Sequence, residues 1–178
     1  MYNPYIDVIG YFYPNVSCHA SGETYNDIVW DGGDTLPDEA TLTSLLLEYK
    51  RLIKWEEIKK YRDDRLEHGG YPTPSGWFHS DALARDNYED ANKPNTRAYL
   101  AYLEQQATPK MWKTMSGSWV GLTVTLLDTL LANKVTQKND HFYSAEVLKV
   151  GLWLSNDPDN YDYFQNTEKT KWPIIYGE

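Results

Sequence analysis

After Pro37 no glycine or proline interrupts the chain until Gly69-Gly70. Across that stretch Leu42, Leu45, Leu46, Tyr49, Leu52 and Ile53 recur at helical spacing, followed by Trp55, Ile58 and Tyr61. Pro37-Asp38-Glu39 suits a first helical turn, because proline is tolerated there and acids complement the helix dipole. The glycine pair supplies a C-terminal stop. The expectation is one helix of about 30 residues, roughly 45 Å long, acting as a rigid spine. Its polar faces mix Lys50, Arg51, Lys59 and Arg62 with Glu56, Glu57 and Asp63, the pattern of a solvated helix surface.

The sequence on either side of this helix differs in charge and in period. Residues 5 to 14 are rich in Tyr, Ile, Val and Phe and stop at Pro14, and Tyr25 to Trp30 is similar. Both read as strands of a small antiparallel unit, closed by the Asp31-Gly32-Gly33-Asp34 turn. Beyond the helix, Tyr71 to Gly76 reads as a turn-rich loop and Trp77 to Ser80 as a short strand. Residues 82 to 92 and 95 to 107 read as helices, broken near Pro94. Met111 to Met115 and Ser118 to Leu122 read as a hairpin turning at Ser116-Gly117. Thr123 is expected to cap a helix bearing Leu126, Leu127, Leu130 and Leu131, and Asn139-Asp140 to cap a second bearing Phe142, Ala145, Leu148 and Leu152. Asp157 to Asn160 ends that helix, and the tail with Trp172-Pro173 is expected to run irregularly along the surface. The fold expected is α+β, in three parts. An acidic N-terminal antiparallel β unit spans 1–36, a long linking helix 37–68, and a C-terminal domain of β-hairpins packed with helices 69–178.

Charge narrows the choice of partners. The net charge is -9, and no Lys or Arg precedes Lys50, whereas Asp7, Glu23, Asp27, Asp31, Asp34, Asp38, Glu39 and Glu48 all do. Nucleic-acid binding depends on neutralising phosphates, so no nucleic-acid partner is expected. The acidic front suits solubility or a basic protein partner. No apolar run reaches membrane-span length and no leader pattern is read, so export by the usual route is not expected. The lone Cys18 fits synthesis in a reducing cytoplasm.

Catalytic and cofactor chemistry finds little to build on. None of His19, His68, His79 and His141 has a second His at i,i+4, and Cys18 has no near partner, so no metal site is expected. No phosphate-cradling glycine motif occurs, and Asp31-Gly32-Gly33-Asp34 lacks the alternating acids and terminal Glu of a calcium loop. His79 and Asp81 lie two residues apart, which on a strand puts them on one side, and a small hydrolase using them is the weakest reading. No catalytic residue and no cofactor is expected.

Aromatic residues carry the sharper hypothesis. They make up 15% of the chain, with 7 Trp and 15 Tyr, types that cover area at small entropic cost and keep a polar tip. Trp77, Phe78, Trp112, Trp119 and Trp172 either meet in one core cluster or leave some rings exposed as a platform. The candidate partner-binding rings are Tyr71, Trp77, Trp112, Trp119, Tyr161 and Trp172.

A series of short segments, in order, carries a resemblance. They are Arg62-Asp63 with Leu66 and Gly69-Gly70, Trp77-Phe78-His79-Ser80-Asp81 with Arg85, and Trp112-Lys113-Thr114-Met115 with Gly117 and Leu122-Thr123. Phe142, Ala145-Glu146, Lys149, Asp157-Pro158, Tyr161 and Trp172-Pro173 complete it. In these the second half of the chain resembles a domain of uncharacterised function in phage tail accessory proteins. It departs from the pattern at Ser116, where Asp is expected, and in a longer stretch from Asn87 to Thr108. The resemblance implies a non-enzymatic virion protein, made in the host cytoplasm, that docks on a tail fibre or baseplate protein, and it leaves room for a homo-oligomer. It equally allows a fibre-assembly chaperone absent from the particle. A carbohydrate-binding module for the host surface is a further alternative, and it would need exposed Trp faces beside polar groups.

Overall fold

The computed structural model describes residues 2–31, 35, 37–164 and 172–178. Among them it is an α+β protein of long helices and three two-stranded antiparallel sheets. The chain forms two compact units: Met1–Glu57 with Lys149–Asp162, and Ile58–Leu148 with Tyr163–Glu178.

The first unit corrects the expected opening strand. Residues Pro4–Phe12 form a helix, α1, not a strand. Asn3 caps it, its Oδ1 accepting from the Tyr5 N–H at 3.0 Å, and Pro4 takes the first helical position where its missing N–H costs nothing. Val8 and Ile9 are fully buried, with Tyr5 and Phe12 packed beside them, which is helical and not alternating spacing. Strong β propensity gave way to a local cap and a buried face. The sheet of this unit pairs β1 (Cys18–Ala20) with β2 (Ile28–Trp30), so the expected second strand is shortened, Tyr25–Asp27 being a 3-10 turn. Gly32 to Asp34 of the expected turn lie outside the described residues.

The long helix is present as α2, Glu39–His68. Its start is displaced slightly from the expected one, because Asp38 acts as a cap: its Oδ1 accepts from the Thr41 N–H at 2.7 Å. In the first unit α2 contributes Leu42 to a core with Val8, Ile9 and Ile28.

In the second unit Gly69-Gly70 ends α2, with Gly70 at φ 78, a left-handed conformation that glycine adopts freely. The chain then forms a hairpin, β3 (Tyr71–Thr73) with β4 (Gly76–Phe78), where a loop and a lone strand were expected. Helices α3 (Ala82–Asn92) and α4 (Pro94–Gln105) and the hairpin β5 (Lys110–Lys113) with β6 (Trp119–Leu122) match expectation closely. Helix α5, Val124–Leu154, begins at the expected cap, Thr123 Oγ1 accepting from the Leu126 N–H at 3.0 Å. It does not break at Asn139-Asp140; one helix replaces the two expected. The unit's core gathers Tyr71, Phe78, Tyr88, Leu100, Leu122 and Leu127.

The tail from Trp172 is irregular as expected, but it is not laid along the surface there. Trp172 is 2% exposed and its Nε1 donates to the Tyr163 carbonyl at 2.9 Å. Arg65, 4% exposed, holds both carboxylate oxygens of Glu178 at 2.6 and 2.9 Å and donates to the Pro173 carbonyl at 2.6 Å. The bidentate pair lowers the Glu178 carboxyl below its ordinary value.

Candidate functional site

The β5–β6 hairpin turns through three residues, Met115-Ser116-Gly117. The Gly117 N–H donates to the Thr114 carbonyl at 3.0 Å, and the Thr114 N–H donates to the Ser118 carbonyl at 2.8 Å. Gly117 sits at φ 90, so the turn needs the glycine and tolerates Ser116 where an acid was expected. From that closing pair the register runs Lys113↔Trp119, Trp112↔Val120, Met111↔Gly121 and Lys110↔Leu122. Successive side chains alternate between faces. Trp112, Val120 and Leu122 therefore face the core, and Met111, Lys113 and Trp119 face outward.

A groove of about 540 Å³ opens beside this hairpin. β5 and Trp119 form one wall, and His79, Asn87, Tyr88 and Leu100 contribute to the other. Its volume is within the roughly 300–1,000 Å³ of ligand clefts. Trp112 and Tyr88 join the two walls, with ring centroids 5.1 Å apart at 37°. The Tyr88 hydroxyl donates to the His79 carbonyl at 2.7 Å, and burial pushes its phenol well above the ordinary value. That bond fixes Tyr88 as a strut between the two walls. Trp119 is 64% exposed and Met111 49%, so the rim offers large apolar groups to solvent.

Two of the six candidate rings, Trp112 and Trp119, come together at this groove. The other four are elsewhere. Tyr71 is a core ring 6.1 Å from Tyr88, and Trp172 is buried as described. Trp77 is half-buried on β4, 6.3 Å from Tyr176. Tyr161 is half-buried in the first unit, its hydroxyl close over Gly151. Sequence reasoning missed Met111 and Lys113 as groove residues; their signal is the β5 alternation, which pairs them outward with Trp119. It also missed Tyr99 and Tyr102, exposed and stacked with centroids 6.5 Å apart on α4. Their i,i+3 spacing was visible, but only packing shows which helix face stays uncovered.

His79 and Asp81 do share one side, 3.9 Å apart, yet both side chains stand about half open to solvent. Asp81 is engaged as the α3 cap, its Oδ1 accepting from the Ala84 N–H at 2.8 Å. Among the described residues no group of three His, Cys, Asp or Glu is placed to hold a metal ion. No described helix is long and apolar enough to cross a membrane.

Among known families, residues 49–165 match the model described as Domain of unknown function (DUF4376), more than half of the chain and the whole of the groove. No curated protein and no solved structure matches.

Proposed function

We propose that this chain, which belongs to that family of unknown function, is a non-enzymatic bacteriophage tail protein docking on a tail fibre or baseplate protein through the β5–β6 groove. The observation that carries the reading is Trp119, 64% exposed on the outward face of a hairpin whose other face is anchored in the core. A rigidly mounted, solvent-facing Trp beside an apolar rim has the anatomy of a binding hot spot. The non-enzymatic part is supported by His79 and Asp81, which lie open to water with the carboxylate committed to a helix cap. The phage partner is supported by the resemblance of the ordered Trp-rich segments.

Quantitative mass spectrometry of purified particles of the encoding phage tests this. A fixed ratio to fibre or baseplate subunits is expected, together with loss of fibre or baseplate co-purification for Trp119→Ala. Presence in infected cells but absence from particles would favour a fibre-assembly chaperone instead. Retention of full binding by Trp119→Ala would remove the groove from either account.

A further inference from the structure

The main chain of β5 has one edge occupied by β6 and one edge that meets the groove. The closing bond of the hairpin fixes which residues point which way. Thr114 and Ser118 form a hydrogen-bonded pair, so Trp112 with Val120 is the next such pair, and Lys110 with Leu122 the one after. Met111 and Lys113 lie in the intervening non-bonded positions, where both the N–H and the C=O turn away from β6. Met115, next in that same period of two, shows where this edge points: its N–H donates to the Trp77 carbonyl at 2.8 Å. That bond joins β4 to the turn beside β5, and among the described residues it is the one main-chain bond between them. Beyond it the chain leaves β4 at Phe78 and turns through Ser80 into α3. Among the described residues no backbone hydrogen bond reaches the outward groups of Met111 or Lys113. The groove lies beside this edge, and all four β5 residues line it.

We propose that the free edge of β5 takes an extended acidic segment of the partner polypeptide as an added strand. The added strand exchanges main-chain hydrogen bonds with Met111 and Lys113, and its alternate side chains enter the groove toward Trp112 and Tyr88. An exposed strand edge is otherwise a liability, and its groups are costly to bury without partners. Charge selects the occupant. Lys110 and Lys113 are exposed on this strand, and neither forms an ion pair among the described residues. Asp90, the acid on the opposite wall, is already paired with Lys93 at 2.5 Å. In a chain of net charge -9 this groove is locally basic, so it attracts acids and discriminates against a basic or neutral strand. Strand addition here rests on the groove being the docking surface.

The test uses the full chain and a fluorescein-labelled octapeptide alternating Val and Glu, beside the same peptide with alternate amides N-methylated. Amide exchange followed by NMR is expected to slow at Met111 and Lys113 when the unmethylated probe is added. Trp112, already bonded to β6, is expected to change little. Met111→Pro removes one outward N–H while sparing the β6 ladder, and should weaken the probe about tenfold. The K110E/K113E double variant should weaken it by a similar or larger factor, and more so at low salt, about tenfold or beyond. Three results overturn the proposal. They are no binding of the acidic probe, binding that leaves Met111 and Lys113 exchanging freely, and binding of the N-methylated probe as tight as its parent. Protection of the same two amides without probe, rising with protein concentration, would also overturn it and make the occupant a second copy of this chain. Failure here with the chain found in phage tails sinks the strand mode alone. Success here with the chain absent from tails sinks the virion role alone.

Discussion

Trp119 and Trp172 are the same residue type, and the fold uses them in opposite ways. Trp172 is closed in by Tyr61, with centroids 5.5 Å apart at 77°, and bonded to the Tyr163 carbonyl. Trp172→Ala is expected to destabilise the protein by about 3–5 kcal/mol, as a cavity results and the hydrogen bond to the Tyr163 carbonyl is lost. Trp119→Ala, removing a mostly exposed ring, is expected to shift stability by no more than about 0.5 kcal/mol. Urea denaturation of the two variants checks both, and equal losses would mean Trp119 is a packing residue. The sequence marks all six candidate rings alike, because a side chain's burial depends on what the rest of the chain brings to it. Trp112 sits between the extremes: one face packs on Tyr88 while its edge lines the groove.

At the scale of elements, signals repeated over many residues were legible and signals from one or two residues were not. The α2 helix, the α3–α4 pair and the β5–β6 hairpin each rest on a period plus a turn or a stop, and each formed within a few residues of expectation. α1 was misread because β-branched and aromatic content outweighed Asn3-Pro4, a cap and first-turn pair that is local and brief. The opposite error occurred in α5. Asn139-Asp140 has cap chemistry, but the helix face that is buried at Leu127 and Leu130 passes through half-buried Asn133, Lys134 and Gln137 to buried His141, Ser144, Ala145 and Leu148. Packing on both sides of the pair outweighs a cap worth about 1 kcal/mol. Asp140→Pro discriminates the two arrangements. In a new helix capped by Asn139, proline would take the first position without penalty. In the continuous helix it removes an interior bond, and a loss of about 3 kcal/mol with reduced far-UV ellipticity is expected. An unchanged urea midpoint would restore the break.

For the molecule as a whole, acid is expected to act on the second unit in two steps of the same sign. His141 is 1% exposed; its Nδ1 lies 2.7 Å from the Gln137 carbonyl, and among the described residues its Nε2 is buried without a partner. Burial, with the nearby Arg65 charge assisting, holds the imidazole below its ordinary value of 6.5. The unfolded chain therefore takes up the proton first, and stability is lost as pH falls from 6.5 toward the lowered folded value. Glu178 behaves likewise at lower pH: its bonds to Arg65 are fully present above 4.5 and are lost as pH falls through its depressed value. Urea midpoints taken at falling pH, with NMR titration of the His141 ring, check this; a ring titrating at or above 6.5 would contradict the first step. The sequence by itself determined the α+β class, the long helix α2, the β5–β6 hairpin and the acidic front. Those arise from periodicity, turn chemistry and charge, which are properties of neighbours in the chain. Only the tertiary structure decided that Trp119 faces water while Tyr71 and Trp172 do not, and that a single main-chain bond links β4 to the turn after β5. It also decided that Lys110 and Lys113 line the groove beside that edge. Each of these depends on which distant segment reaches a given edge or face, and no local pattern encodes that.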